Sequence, residues 1–244
     1  MSGLLGYLFG YWIRNKTFWK GGKMLDNEQK IQQARTNMIQ QMLRPWNILN
    51  QRVLDVFDVV SRDQFVPKEY EAVAFSESRI PLNETHLMLP PVFEGRFLQE
   101  IAIQDHERVL IVGTGSGFLA ACASRLGNEV VTVDMVERFN VNAEAITREL
   151  GYSNIEYKTG KIQDVYQELG TFDAIIFTAS MGEVPAEYFE LLNEKGRLLA
   201  VAGKPNAMSA TVFSKIAGQI RNTPVFERDL ERLVGFEDKA EFVF

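Results

Sequence analysis

The sequence predicts an α/β protein built on a doubly wound, mostly parallel sheet with helices on both faces. Three observations support this fold class. Five apolar segments typical of strands alternate with helical segments in the middle of the chain. A glycine-rich turn joins the first of these strands directly to a helix. The 244 residues, 46% of them hydrophobic, can bury both faces of such a sheet in one large domain.

Residues 1–23 differ from the rest of the chain. They are aromatic and apolar at first and then basic. An apolar run of about 12 residues is shorter than the roughly 20 that a membrane-spanning helix needs, and the run lacks a signal-peptide cleavage site. We interpret 1–23 as an extension outside the fold, from a start codon placed upstream, with a single domain at 24–244. Weak contact with a membrane interface is the alternative.

Helices and a long loop are expected before the sheet, as a cap over residues 24–100. Apolar residues recur at helical spacing over 27–43 and 51–60, and Asn50 is a candidate N-cap for the second helix. Residues 61–95 are punctuated by prolines, and we predict an irregular segment there. Loops of this length usually act as lids or bind substrate.

The sheet itself is expected within the core, residues 101–204. Alternating apolar runs and glycine stops predict strands at 108–112, 129–133, 155–159, 172–179 and 197–203, and helices at 117–126, 137–150 and 185–193. Residues 205–244 lack further helical periodicity. From about Ala210 we expect antiparallel strands added at the edge of the sheet.

Composition narrows the function. The net charge of −6 and a pI near 5.2 disfavour binding to nucleic acid. His86 and His106 lie far from each other and from any cysteine at ligand spacing, so no metal site is expected. The single cysteine, Cys122, is predicted to be a buried core residue, and it excludes an internal disulfide framework. The cytoplasm is the expected location.

The glycine-rich turn carries the main functional signal. Gly113, Gly115 and Gly117 form G-x-G-x-G, in which missing Cβ atoms let the backbone bend and approach a ligand. Asp134 ends the next strand, where a carboxylate accepts both ribose hydroxyls of an adenosine group; capping of the following helix is the alternative. The third glycine comes one residue earlier than in the dinucleotide fingerprint, and no second nucleotide-binding half follows residue 204. We therefore predict S-adenosylmethionine as the cofactor and methyl transfer as the reaction class.

Several segments resemble the protein-L-isoaspartate O-methyltransferase family. They read "RVLDVFDVVSRDQFVPKEY", "VLIVGTGSG", "LGYSNIEYKTG", "FDAIIFTASMGEVP" and "GRLLAVAG", while "QARTNMIQQMLRPWNILNQRVLD" and the "FVF" ending resemble a proteobacterial variant form. The likeness covers residues 30–244. It implies the Rossmann-like methyltransferase fold and methylation of the free carboxylate of isoaspartyl residues in damaged proteins. Such a carboxylate, with a pKa of about 4, is already ionised at neutral pH, so the reaction needs positioning and no general base.

The chain departs from this family pattern at the site. Ile111 stands where typical members have an acidic residue, and Lys161 stands where an aspartate resembles an acceptor for the adenine amino group. In the loop at 85–91, Leu87 replaces a threonine and Leu89 replaces the serine taken to be the active-site residue. His86 is a further candidate for contact with substrate, although a lone loop histidine is more often a packing residue.

The glycine turn, Asp134 and the resemblance together predict the cofactor contacts. They are Met88, Leu89, Gly113, Thr114, Gly115, Ser116, Gly117, Asp134, Met135, Lys161 and Ile162. Two lost carboxylate contacts, at about 1.5–3 kcal/mol each, weaken cofactor binding by roughly a hundredfold or more unless Glu84, Asp164 or backbone groups replace them.

Three functions remain open on the sequence. The first is an isoaspartyl methyltransferase. The second is a relative that binds cofactor weakly or not at all and serves as an interaction protein. The third is a methyltransferase of altered substrate that uses the changed loop. A groove beside Gly115 that is open, rather than filled by Ile111, Ile162 and Leu89, favours the first and third.

Overall fold

The computed structural model describes residues 27–236. The chain divides into two compact units, Met1–Gln33 and Ala34–Phe244, and the sheet and the site below belong to the second unit. The predicted extension at 1–23 lies outside the described residues. Among the helices within 27–236, none has the length and apolar character to cross a membrane.

Two helices begin the described chain, as expected. Helix α1 is Asn27–Met38 and continues as a π-helical turn, Ile39–Leu43. Helix α2 is Gln51–Val59, and the side-chain oxygen of Asn50 accepts the N–H groups of Arg52 and Val53 at 3.0 and 3.4 Å. Asn50 is therefore the N-cap that the sequence predicts.

The segment predicted to be irregular is only partly so. It contains two 3-10 helices, Arg62–Phe65 and Lys68–Val73, and a short antiparallel hairpin of β1, Ile80–Pro81, and β2, Leu87–Met88. Helix α3, Pro91–Ile101, then begins four residues before the predicted end of the loop at 95. The prediction is wrong there because it took Pro91 as a sign of irregular structure. Proline is tolerated at the first position of a helix, where the N–H that it lacks would have no partner within the helix.

A seven-stranded sheet forms the centre of the fold. Its strands are β3 Arg108–Val112, β4 Glu129–Asp134, β5 Ile155–Thr159, β6 Phe172–Met181, β7 Leu192–Lys204, β8 Ala207–Ile216 and β9 Gln219–Glu227. The spatial order is β5-β4-β3-β6-β7-β8-β9. The first five strands in this order, from β5 through β4, β3 and β6 to β7, pair in parallel. Strands β8 and β9 are added to β7 in antiparallel orientation. The predicted fold class is confirmed.

The helices that connect these strands are α4 Phe118–Ser124, α5 Glu137–Glu149 and a short α6, Ile162–Val165. The predicted helix at 185–193 is wrong, since only a 3-10 turn, Ala186–Phe189, forms there. Leu192 is instead drawn into the sheet, where it pairs with Phe172. Backbone hydrogen bonding in the sheet competes with helix formation here. Strand β7 begins five residues before the apolar run at 197–203 that predicted it.

Each face of the sheet packs on its own hydrophobic cluster. Successive residues of β3 alternate between them, with Val109 and Ile111 in one cluster and Leu110 and Val112 in the other. Cys122 is fully buried in the first cluster, as predicted. Because both faces of β3 are covered, its carboxyl end is held rigidly at the centre of the sheet, where the glycine turn follows.

Candidate active site

The glycine turn after β3 forms one wall of an open cavity at the carboxyl ends of the strands. The cavity volume is about 290 Å³, near the lower end of the range of about 300–1,000 Å³ for small-molecule sites. Gly113 has a φ of 100°, and a Cβ there would lie 2.0 Å from the Oγ1 atom of Thr178. The turn therefore requires glycine at this position.

Gly117 serves a different purpose from the other two glycines. Its φ is 86°, and a Cβ there would lie 2.6 Å from the Cβ of Ala143 in α5. It lets the start of α4 pack closely on α5. Gly117 is also the one predicted cofactor contact that does not line the cavity.

A buried hydrogen-bond network fixes the turn to its neighbouring strands. The hydroxyl of Thr114 lies 2.8 Å from that of Thr132 in β4 and donates to the side-chain oxygen of Asn140 at 2.6 Å. The amide nitrogen of Asn140 donates in turn to the carbonyl of Lys158 in β5 at 2.8 Å. Asn140 thus ties three strand ends together. No local sequence pattern indicates this role for Asn140, because its partners are distant in the chain.

Asp134 ends β4 in the cavity wall. One carboxylate oxygen accepts the N–H of Gly115 at 3.1 Å, and the other accepts the N–H of Val136 at 2.9 Å. The bond to Val136 is a local contact before α5, of the kind expected if Asp134 caps that helix. The bond to Gly115 connects the carboxylate to the glycine turn. Since a carboxylate has about four lone-pair positions, two remain for a ligand's hydroxyl pair.

The structure brings nearly all predicted site residues to this one cavity. The lining includes His86, Met88, Leu89, Gly113, Thr114, Gly115, Ser116, Asp134, Met135, Lys161 and Ile162. Met135 is 40% exposed and offers an apolar surface beside Asp134. This set of donors, acceptors and apolar surface fits an adenosyl group.

Three residues named in the sequence analysis lie elsewhere. Ile111 is 1% exposed within the core and does not line the cavity, so it does not fill the groove. Glu84 and Asp164, the expected replacements for the lost carboxylates, are exposed and do not line it either. Gln163 does line it, from the first turn of α6. Its side-chain amide offers one acceptor and two donor hydrogens beside Lys161.

A buried ion pair holds the loop at 85–90 against the cavity. Arg62, with no exposed surface, forms an ion pair with Glu94 and donates to the carbonyls of Leu89 and Ala74, the latter at 2.9 Å. Its guanidinium carbon lies 4.7 Å from the ring centre of Phe118, the first residue of α4. Arg62 therefore links the backbone of Leu89 to α3 and to the glycine turn.

Burial raises the pKa of Glu94, a cavity-lining carboxyl, to about 7, although the positive charge of Arg62 opposes the shift. Desolvation is the larger effect because the carboxyl lies within the core.

Residues 230–234 also line the cavity. Ser180, near the end of β6, accepts the N–H of Leu233 and donates its own N–H to the carbonyl of Glu231, both at 2.7 Å. Arg232 forms a parallel bridge with Ser180 and donates to the carbonyl of Gly203 at 2.8 Å. No local pattern in the sequence points to this segment.

Comparison with known proteins shows the family of this chain. A model of the family "Protein-L-isoaspartate(D-aspartate) O-methyltransferase" matches residues 33–228. The chain belongs to the protein-L-isoaspartate O-methyltransferase family. A relative from Shewanella sediminis, protein-L-isoaspartate O-methyltransferase 2, is 32% identical over 73% of this chain and 73% of its own length. One from Opitutus terrae, a protein-L-isoaspartate O-methyltransferase, is 30% identical over 79% and 83%.

Solved structures show the same fold. A Plasmodium falciparum protein named as a protein-L-isoaspartate O-methyltransferase, in complex with S-adenosyl-L-homocysteine, superposes with a TM-score of 0.71 at 19% identity. The match covers 83% of this chain and 97% of that chain. A second protein-L-isoaspartate O-methyltransferase gives a TM-score of 0.69 at 21% identity, over 82% and 66%. The resemblance given by the sequence motifs is confirmed.

Two of the departures expected from the sequence lie in the loop at 85–90. Leu89 is half-buried and packs against the core, and its carbonyl is fixed by Arg62. The ring of His86 packs edge-on against Phe139, with ring centres 5.3 Å apart, and its Nδ1 atom lies 3.1 Å from the side-chain oxygen of Asn83. His86 thus has contacts that position the loop.

Metal ligation has no candidate in this region. Over residues 27–236, no group of three or more His, Cys, Asp or Glu side chains is close enough together to hold an ion.

Proposed function

We propose that this protein methylates the free carboxylate of L-isoaspartyl residues in damaged proteins, with S-adenosylmethionine as methyl donor. One observation carries the proposal. In a chain of this family, a single open cavity joins the glycine turn and Asp134 to the loop at 85–90 and to residues 230–234. The cofactor side and the substrate side of a methyl transfer are therefore continuous.

Residues that follow successive strands bind different parts of the cofactor. Asp134, at the end of β4, is placed to bind the ribose hydroxyls, and Gln163, after β5, to accept the adenine amino hydrogens. Met135 and Ile162 supply apolar surface for the adenine. Backbone groups of Gly113 and Gly115 contact the amino-acid part of the cofactor, near the carboxyl ends of the neighbouring strands β3 and β6.

Catalysis on this site is positioning. S-adenosylmethionine, when bound, supplies the electrophilic methyl group. The wall formed by Met88 and Leu89 excludes water from the region where the substrate carboxylate meets that group, and Arg62 holds Leu89 in place. No residue is needed to remove a proton, so His86 is assigned to orienting the loop and contacting substrate.

Two finer points belong to the same proposal. We place the activity in the cytoplasm, supported by one buried thiol, Cys122, and no second cysteine. We assign proteins rather than nucleic acids as substrates, supported by the net charge of −6.

The test compares two peptides that differ at one residue. Protein and methyl-labelled S-adenosylmethionine are incubated with a peptide containing isoaspartate or with the same peptide containing aspartate. We expect label, released by mild base as expected for a methyl ester, on the isoaspartyl peptide alone. Failure to label it while S-adenosylhomocysteine binds in calorimetry would falsify the proposal.

A second candidate function is methylation of a different carboxylate. It is favoured by Leu87 and Leu89, which replace two hydroxyl side chains of the family pattern with apolar ones. Equal labelling of the aspartyl and isoaspartyl peptides would support this candidate instead.

A further inference from the structure

The methyl-accepting side of the cavity has apolar residues where the family pattern has hydroxyls. Leu87 is 38% exposed, Leu89 is half-buried, and both line the cavity. A carboxylate entering this region loses hydration and needs a compensating donor. The donor must come from another part of the wall.

The hairpin places an arginine opposite Leu89. Ile80 pairs with Met88 and Pro81 with Leu87. Arg79 and Leu89 are the next residues beyond the Ile80–Met88 pair, so extending this antiparallel register by one step brings them across from each other. Arg79 lines the same cavity, and its side chain is 46% exposed. A flexible cation therefore stands beside the position where the family pattern has its serine.

A carboxylate of the protein already lies near this arginine. The Nη1 atom of Arg79 is 3.5 Å from the Oε1 atom of Glu231, whose side chain is 55% exposed. The contact is long for a hydrogen bond, and both partners are accessible to solvent, so the pair is weak. The carbonyl of Glu231 accepts the N–H of Ser180 at 2.7 Å, and Glu231 lines the same cavity as Arg79.

The other cations of the wall have different positions. Lys161 follows β5, beyond the end of β4 that carries Asp134, and therefore lies at the nucleoside end. Arg232 donates to the carbonyl of Gly203 at 2.8 Å and thereby fixes its own segment. Arg79 is the cation that combines a place opposite Leu89 with a weak ionic contact.

We propose that Arg79 binds the carboxylate of the isoaspartyl substrate and that Glu231 holds this arginine until substrate displaces it. The inference rests on the function proposed above and names the residue that determines its acceptor. A guanidinium binds a carboxylate through two parallel N–H groups, which also fixes the oxygen that faces the methyl donor. Arg79 is a binding residue here, and Glu231 is its competitor.

The experiment measures peptide binding and turnover in five proteins. They are the wild type, Arg79→Met, Arg79→Lys, Glu231→Gln and a matched control, Arg148→Met, which removes an exposed arginine of α5 that lies outside the cavity. Direct binding is measured with the protein saturated with S-adenosylhomocysteine. Two peptides are used, one with isoaspartate and one with isoasparagine, whose amide is neutral and otherwise similar in shape.

For Arg79→Met we expect Kd and KM for the isoaspartyl peptide to rise by about tenfold, since a bond to a charged group is lost. The Kd of the isoasparaginyl peptide should stay within about twofold. Glu231→Gln should lower the KM by about two- to fivefold, because an exposed competing ion pair is removed. Arg79→Lys should recover part of the lost affinity, and Arg148→Met should change nothing.

Equal weakening of both peptides by Arg79→Met, or no weakening of either, overturns the inference. So does a wild-type protein that binds neither peptide. If the isoaspartyl peptide binds in an Arg79-dependent manner but receives no methyl group, Arg79 stands as a carboxylate-binding residue and the proposed function fails.

Discussion

Replacing Arg62 with methionine tests how the loop wall of the cavity is held. The substitution leaves three buried acceptors without their donor, namely the carboxylate of Glu94 and the carbonyls of Leu89 and Ala74. Removing one partner of a buried ion pair costs about 3–5 kcal/mol. Here Glu94 must either stay charged without compensation or take up a proton, and two buried carbonyls lose their donor as well. Methionine keeps most of the side-chain volume over Phe118. We therefore expect the free energy of unfolding to fall by about 3–5 kcal/mol.

A double-mutant cycle separates the charge effect from packing. Urea unfolding is measured for the wild type, Arg62→Met, Glu94→Met and the double variant. If an unpaired carboxylate causes the loss, the double variant should be more stable than Arg62→Met alone. A single Arg62 variant within about 1 kcal/mol of the wild type, or strictly additive substitutions, would refute the reasoning.

The remaining predictions concern one titration, two ligand contacts and one glycine. The raised pKa of Glu94, about 7, means that the folded state binds this proton more tightly than the unfolded chain does. The stabilisation from this tighter proton binding is complete below about pH 4.5 and is lost as the pH rises through 7. The urea midpoint of the wild type should therefore fall between pH 5 and 8, and Glu94→Gln should make this fall smaller. Asp134→Asn should weaken S-adenosylhomocysteine binding by about ten- to hundredfold in calorimetry, and unchanged affinity would exclude ribose binding by this residue. Lys161→Asp should tighten the same binding by about tenfold, and no gain would contradict the assignment of this position to the adenine side. Gly117→Ala should cost about 2–4 kcal/mol because it combines a positive φ with overpacking, whereas Gly151→Ala, with φ 83° and open space around it, should cost only about 1 kcal/mol; equal costs would exclude the helix contact as the cause.

The parallel core was predictable because its signals are local. Strands β3, β4 and β6 are largely apolar runs bounded by glycine or by polar turns, and the sheet order follows from alternating strands and helices. Elements decided by tertiary pairing were not predictable. The turn at Ala186–Phe189 does not extend into a helix because Leu192 pairs with Phe172, 20 positions earlier in the chain.

The candidate site divides in the same way. The glycine turn and Asp134 follow from strand–turn–helix order, and the motif resemblance led to the loop containing Leu89. Arg79 and Glu231 are 152 positions apart, and nothing in either neighbourhood indicates the other. Their contact depends on a hairpin whose strands have two residues each and on the bridge between Arg232 and Ser180. Neither has a distinctive sequence pattern.

The parallel bridge at Ser180 has a consequence for synthesis on the ribosome. The cavity takes its walls from segments between residues 79 and 234, so a growing chain cannot enclose a ligand until the last of these has emerged and docked. The part of the cofactor's stabilising effect that depends on complete enclosure is therefore gained only after residues 230–234 have docked.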